Sequence, residues 1–94
     1  MEDRIETQHP DPNKQGVNIE RKKYDAVQAA IVDALRMNDE MTFEDLMQAV
    51  EQRIGAHFEG SVSWYYTTVK LDLEARGIIE RVGKSSPQRI RLAK

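Results

Sequence analysis

The chain has 94 residues, 14 Lys/Arg against 16 Asp/Glu, and no cysteine. That length gives one domain with one modest core, and the missing thiols exclude disulfides and thiolate metal sites, so packing alone must hold the fold. The apolar fraction of 39% and charged fraction of 32% suit an ordinary globular chain and exclude a disordered polyelectrolyte. Residues 1–60 carry seven Lys/Arg against thirteen Asp/Glu, whereas residues 78–94 hold Arg81, Lys84, Arg89, Arg91 and Lys94 against Glu80 alone. A basic end on an acidic body is a footprint for an anionic partner or a solvated surface.

Residues 1–17 lack periodicity and contain His9-Pro10-Asp11-Pro12-Asn13 and Gly16, so they read as an irregular N-terminal arm. The folded domain is then expected over 18–94. No basic stretch followed by an apolar run opens the chain, and Gln28 and Asp33 interrupt its longest apolar cluster, Ala26 to Leu35. Neither a secretory signal nor a membrane span is expected, which leaves the cytoplasm as the default location.

With Asn18 as N-cap and Glu20 in the first turn, Tyr24, Val27, Ile31, Ala34 and Leu35 recur at three- and four-residue spacing. This predicts a first helix over Glu20 to Met37, ended by Asn38-Asp39. Met41 gives a residue or two of extended chain. Thr42 then caps a second helix, with Asp45 in the capping-box position, a buried stripe of Phe43, Leu46, Met47, Val50 and Ile54, and Gly55 as its stop. In the loop 55–60, Phe58 is expected to dip toward the core.

Ser61 or Ser63 caps a third helix running to Arg76, and Gly77 stands where a left-handed residue is wanted. Ile78 to Val82 and Gln88 to Leu92 are strand-like, the second strictly alternating, with Gly83 to Pro87 as the turn between them. Pro87 suits the edge of such a hairpin better than a central ladder. The fold class is therefore mainly α with a small β-hairpin.

Helix, short extended piece, helix, helix, hairpin: this order resembles the winged helix, a helix-turn-helix variant whose C-terminal wing is a two-stranded β-hairpin. Leu73-Glu74-Ala75-Arg76-Gly77-Ile78-Ile79-Glu80-Arg81 is similar to that superfamily's junction between recognition helix and wing. The resemblance spans about residues 18–93. It implies a third helix lying in a DNA major groove with the wing on the backbone, although the scaffold also serves as a dimer or docking module. The His9-Pro10 arm, Tyr24 and the run Ser63-Trp64-Tyr65-Tyr66-Thr67-Thr68-Val69-Lys70-Leu71-Asp72-Leu73-Glu74 together resemble a family of small uncharacterised bacterial proteins.

At 100° per residue, Val62, Tyr66, Val69 and Leu73 share one face of the third helix, the core face. Trp64, Leu71 and Ala75 fall on the opposite face. A helix apolar on two sides is buried on both, so the arm, a second copy or a foreign partner is expected over Trp64 and Leu71. On the nucleic-acid reading, Tyr65, Thr67, Lys70, Lys84, Arg89 and Arg91 supply phosphate contacts, and Ser63 with Thr67 touches bases. No Arg, Asn or Gln stands in the first turns for bidentate readout, and Asp72 and Glu74 repel phosphate if they face it. Arg89 and Arg91 are alternatively cross-strand partners of Glu80.

Two functions follow: a transcription-factor-like module that binds double-stranded DNA, as a dimer, or a protein-association module using the Trp64/Leu71 face. His9 and His57 lie in separate irregular segments, and no hydrolase, zinc or phosphate-loop motif is present. No catalytic residue, metal, cofactor or small-molecule ligand is therefore expected.

Overall fold

The computed structural model describes residues 3–83 and 87–93. Its order is β1 (Arg4–Glu6), β2 (Asn18–Glu20), α1 (Arg21–Asn38), β3 (Glu40–Thr42), α2 (Phe43–Ile54), α3 (Val62–Ala75), β4 (Ile79–Arg81) and β5 (Arg89–Leu92). Three helices and two small antiparallel sheets make a mixed α+β fold.

The first strands correct the expectation of an irregular arm. β1 and β2 pair antiparallel, Ile5 opposite Ile19, and Ile19 is buried in the core while Ile5 packs against it. Each strand contributes a single inward apolar residue, too few to register as alternation between prolines. Asn18, expected to cap the first helix, is instead the first residue of β2, and Glu20 takes the N-cap position without a side-chain bond. The Arg21 N–H donates instead to the Asp3 carbonyl at 2.9 Å, so the hairpin satisfies one open donor of the α1 terminus. The hairpin and the residues beyond 18 thus share one core.

Elsewhere the local chemistry acts as expected. Tyr24, Val27, Ile31 and Leu35 line the buried face of α1. The Asp45 N–H donates to the Thr42 hydroxyl at the start of α2, and the Trp64 N–H to the Ser61 hydroxyl at the start of α3. After α3, Gly77 adopts φ +75°; its N–H donates to the Glu74 carbonyl, and Ile78 N–H reaches back to Leu73. This Schellman closure needs the left-handed residue that glycine supplies without strain. Gly55 differs: it is right-handed at φ −58° and continues the helical bonding of α2, so the chain leaves α2 without a left-handed cap.

The strand order is β3-β5-β4, with β5 central. Along β5, Ile90 is fully buried in the core, while Arg89 and Arg91 point outward. Pro87 lies just outside the ladder, and Phe43 N–H bonds the Gln88 carbonyl, extending the β3–β5 pairing into the first residue of α2. Tyr66, fully buried under Phe43, donates its hydroxyl to the Phe43 carbonyl at 2.8 Å. Among the described residues no helix is long and apolar enough to cross a membrane.

Candidate interaction surface

Helix α3 carries the expected core face: Tyr66, Val69 and Leu73 are fully buried, and Val62 packs at their edge. Its opposite face divides into two parts. At the N-terminal end Trp64 is 47% exposed, an unusual state for so large an apolar ring. Trp64 meets Tyr65 edge-on at 4.9 Å, and Tyr65 meets Phe58 edge-on at 5.1 Å. Lys23, from the start of α1, sits 5.3 Å from the Tyr65 ring centre. Phe58 does pack against the core, bringing the 55–60 loop beside α3. The result is a row of three rings ending in an exposed indole.

Two turns further along, Leu71 is half-buried, and the loop between β1 and β2 shares a groove with it through His9, Pro10, Asp11 and Lys14. The arm thus stands across a groove from one of the two apolar residues expected to share a cover. Trp64 is left open.

The charged residues of α3 depart most from expectation. Lys70, a candidate phosphate contact, is not on the surface: its side chain is 3% exposed, 2.6 Å from Glu74 and 5.3 Å from the Phe43 ring centre. Burial pushes its ammonium below the ordinary lysine range, partly countered by Glu74. At 80° from the core face Lys70 borders the packed side of the helix, and the first residue of α2 closes over it. Asp72 is fully buried as well. It accepts hydrogen bonds from the Gln8 N–H at 2.7 Å, the Tyr24 hydroxyl, and Arg76 Nε at 2.9 Å. One carboxylate therefore ties the N-terminal hairpin, α1 and α3 together. The sequence signal for both sites was two interleaved opposite-charge pairs at four-residue spacing, Lys70/Glu74 and Asp72/Arg76.

The remaining candidates scatter. Ser63 and Thr67 are exposed beside Trp64, but their polar groups are engaged locally: the Thr67 hydroxyl donates to the Ser63 carbonyl, and the Ser63 and Ser61 hydroxyls lie 3.1 Å apart. Arg91 pairs with Glu80 at 2.7 Å directly across the β4–β5 ladder, and Arg89 approaches Glu40 to 3.7 Å. Arg81 approaches Glu74 to 3.5 Å. Lys84 lies outside the described residues. The basic end of the sequence is thus interleaved with carboxylates in space. The start of α2, where a helix N-terminus could meet phosphate, carries Glu44 and Asp45 in its first turn.

Among the described residues no group of three or more His, Cys, Asp or Glu side chains could hold a metal ion. No curated protein matches the chain. A family model described as a family of unknown function, DUF6958, matches residues 4–90, nearly the whole length, and the chain belongs to that family.

Proposed function

We propose that this chain is a non-enzymatic, winged-helix-like association module that pairs with a second copy of itself through the Trp64 edge of α3. The carrying observation is Trp64, exposed at the end of the Trp64–Tyr65–Phe58 row while neighbouring apolar residues pack inward. Tryptophan is enriched among the residues whose burial contributes most to protein interfaces. A two-fold interface needs only one self-complementary patch, and a row of rings supplies one. Leu71 contributes less than the sequence suggested, because the arm shares its face.

Sedimentation velocity tests this reading. The wild type should shift from monomer to dimer with concentration, and Trp64→Ala should remain monomeric. A wild type that stays monomeric at high concentration rules the reading out.

The element order and the β3-β5-β4 sheet favour a second reading, a winged-helix protein on duplex DNA with Ser63 and Thr67 turned outward. The inward turn of Lys70 and the carboxylate partners of Arg81, Arg89 and Arg91 weigh against it. Salt-dependent binding of duplex DNA would restore it.

A further inference from the structure

Beside the aromatic row lies a cleft of about 260 Å³, walled by the start of α1 and the loop before α3, with Ala26 and Phe58 as its apolar lining. That volume is below the roughly 300–1,000 Å³ of small-molecule sites, and it suits one large side chain. Its charged lining is balanced: Lys22 and Lys23 stand against Glu20 and Glu59, with His57 beside them. Phe58 belongs to both the cleft and the row. Ring contacts of 5.1 and 4.9 Å lead from it through Tyr65 to Trp64. Gly60 sets this seat by turning the chain toward α3 at φ +113°. A Cβ there would stand 3.1 Å from the Tyr65 ring, and glycine takes the angle without strain. Trp64 does not enter the cleft of its own chain, because Tyr65 and Phe58 stand between them.

We propose that Trp64 of each chain inserts into this cleft of a second copy, a reciprocal contact that rests on the self-association reading above. A two-fold axis makes both insertions at once when an exposed ring and its receiving cleft are close neighbours on one molecule. The axis then passes over Tyr65, which meets its own counterpart.

The lining matches an indole. Ala26 and Phe58 meet the ring, and Lys22, exposed at the rim, lies over its face. The indole N–H bonds no described residue within the chain, and neither Glu20 nor Glu59 has an ion-pair partner among the described residues. Insertion gives that donor a carboxylate acceptor. Two cations against two carboxylates offer a charged segment no net attraction, whereas a neutral ring needs none. Around Trp64, the exposed Ser61, Ser63 and Thr67 carry no charge, so apposing two copies sets no like charges together there. The other exposed large apolar side chains among the described residues are Val17 and Met37. Neither has a ring face for the lysines or an N–H for the carboxylates.

Two variants separate the inserted ring from the cleft. Trp64→Ala removes the ring, and Ala26→Phe fills the cleft from a partly exposed helix position. Loss of each insertion should weaken pairing about thirtyfold. Either variant alone loses both insertions and should sediment as a monomer at roughly 50 μM. Mixed in equal amounts, they should form a heterodimer about thirtyfold weaker than the wild-type pair, because Trp64 of one enters the open cleft of the other. The unaltered protein gives an independent readout, whether or not Ala26→Phe folds. In a half-isotope-labelled sample, intermolecular NOEs should join the Trp64 indole to the Ala26 methyl group. Three results overturn the insertion and leave self-association standing: a dimeric wild type with no such NOE, folded variants whose mixture stays monomeric, or an Ala26→Phe protein that dimerises as the wild type does. A monomeric wild type overturns both.

Discussion

Replacing Asp72 by alanine removes the acceptor on which three segments converge, and the expected cost can be assembled from its contacts. Tyr24 is 4% exposed, and its hydroxyl donates to Asp72; stranding it there costs about 1–2 kcal/mol. The Gln8 N–H loses a charge-assisted bond of 2.7 Å worth about 1 kcal/mol. Arg76 is 33% exposed on its side chain, so water recovers most of its interaction, leaving a loss below about 1 kcal/mol. Together these give about 2–4 kcal/mol, a large share of the roughly 5–15 kcal/mol that stabilises a domain. Tm should fall by about 8–32 °C at roughly 4–8 °C per kcal/mol. Urea unfolding followed by circular dichroism measures the change. Asp72→Asn, which keeps one acceptor, should lose about half as much, and a cycle with Tyr24→Phe should show coupling near 1 kcal/mol. An Asp72→Ala protein within about 0.5 kcal/mol of wild type would refute the view that this carboxylate joins the hairpin to the helices.

Two further outcomes follow from the same side chains. Burial, with the Asp72 hydrogen bond added at Tyr24, raises the phenols of Tyr24 and Tyr66 above the ordinary tyrosine range. Folded pKa values above the unfolded value of 10.0 mean that the folded chain holds protons the unfolded chain has lost. This contribution is complete below pH 10 and is lost as pH rises beyond it, so urea midpoints should decline above pH 10; an equal decline in Tyr24→Phe/Tyr66→Phe would contradict this. Fluorescence anisotropy with mixed-sequence duplex DNA at about 50 mM salt should show no saturable binding, because Lys70 is buried and Arg81, Arg89 and Arg91 face carboxylates. Micromolar binding that weakens steeply with salt would reverse that expectation.

The three helices, the β4–β5 hairpin and the core face of α3 were legible because each repeats its signal. Tyr66, Val69 and Leu73 recur at helical spacing, Ile90 and Leu92 at strand spacing, and Gly77 marks a reversal that glycine makes without strain. The β1–β2 hairpin was not, since Ile5 and Ile19 are one apolar residue apiece and their partnership spans a proline-rich loop. The burial of Lys70 and Asp72 was not legible for a related reason. A helical wheel orders residues by angle, but whether a charge at the margin is solvated depends on what closes over it, here Phe43 for Lys70 and Tyr24 and Gln8 for Asp72. The charge balance of residues 78–94 likewise counted cations along the chain and could not show Glu40 and Glu74 arriving from distant elements.

Trp64 is the single tryptophan of the chain, so its fluorescence reports the state of the proposed contact without labelling. The direct measurement is acrylamide quenching and emission maximum of the wild type from about 1 to about 300 μM, a range that brackets a micromolar homodimer. Self-association through this face predicts a blue shift and falling quenchability as concentration rises. An indole equally red-shifted and equally quenched at both ends of the range would contradict it.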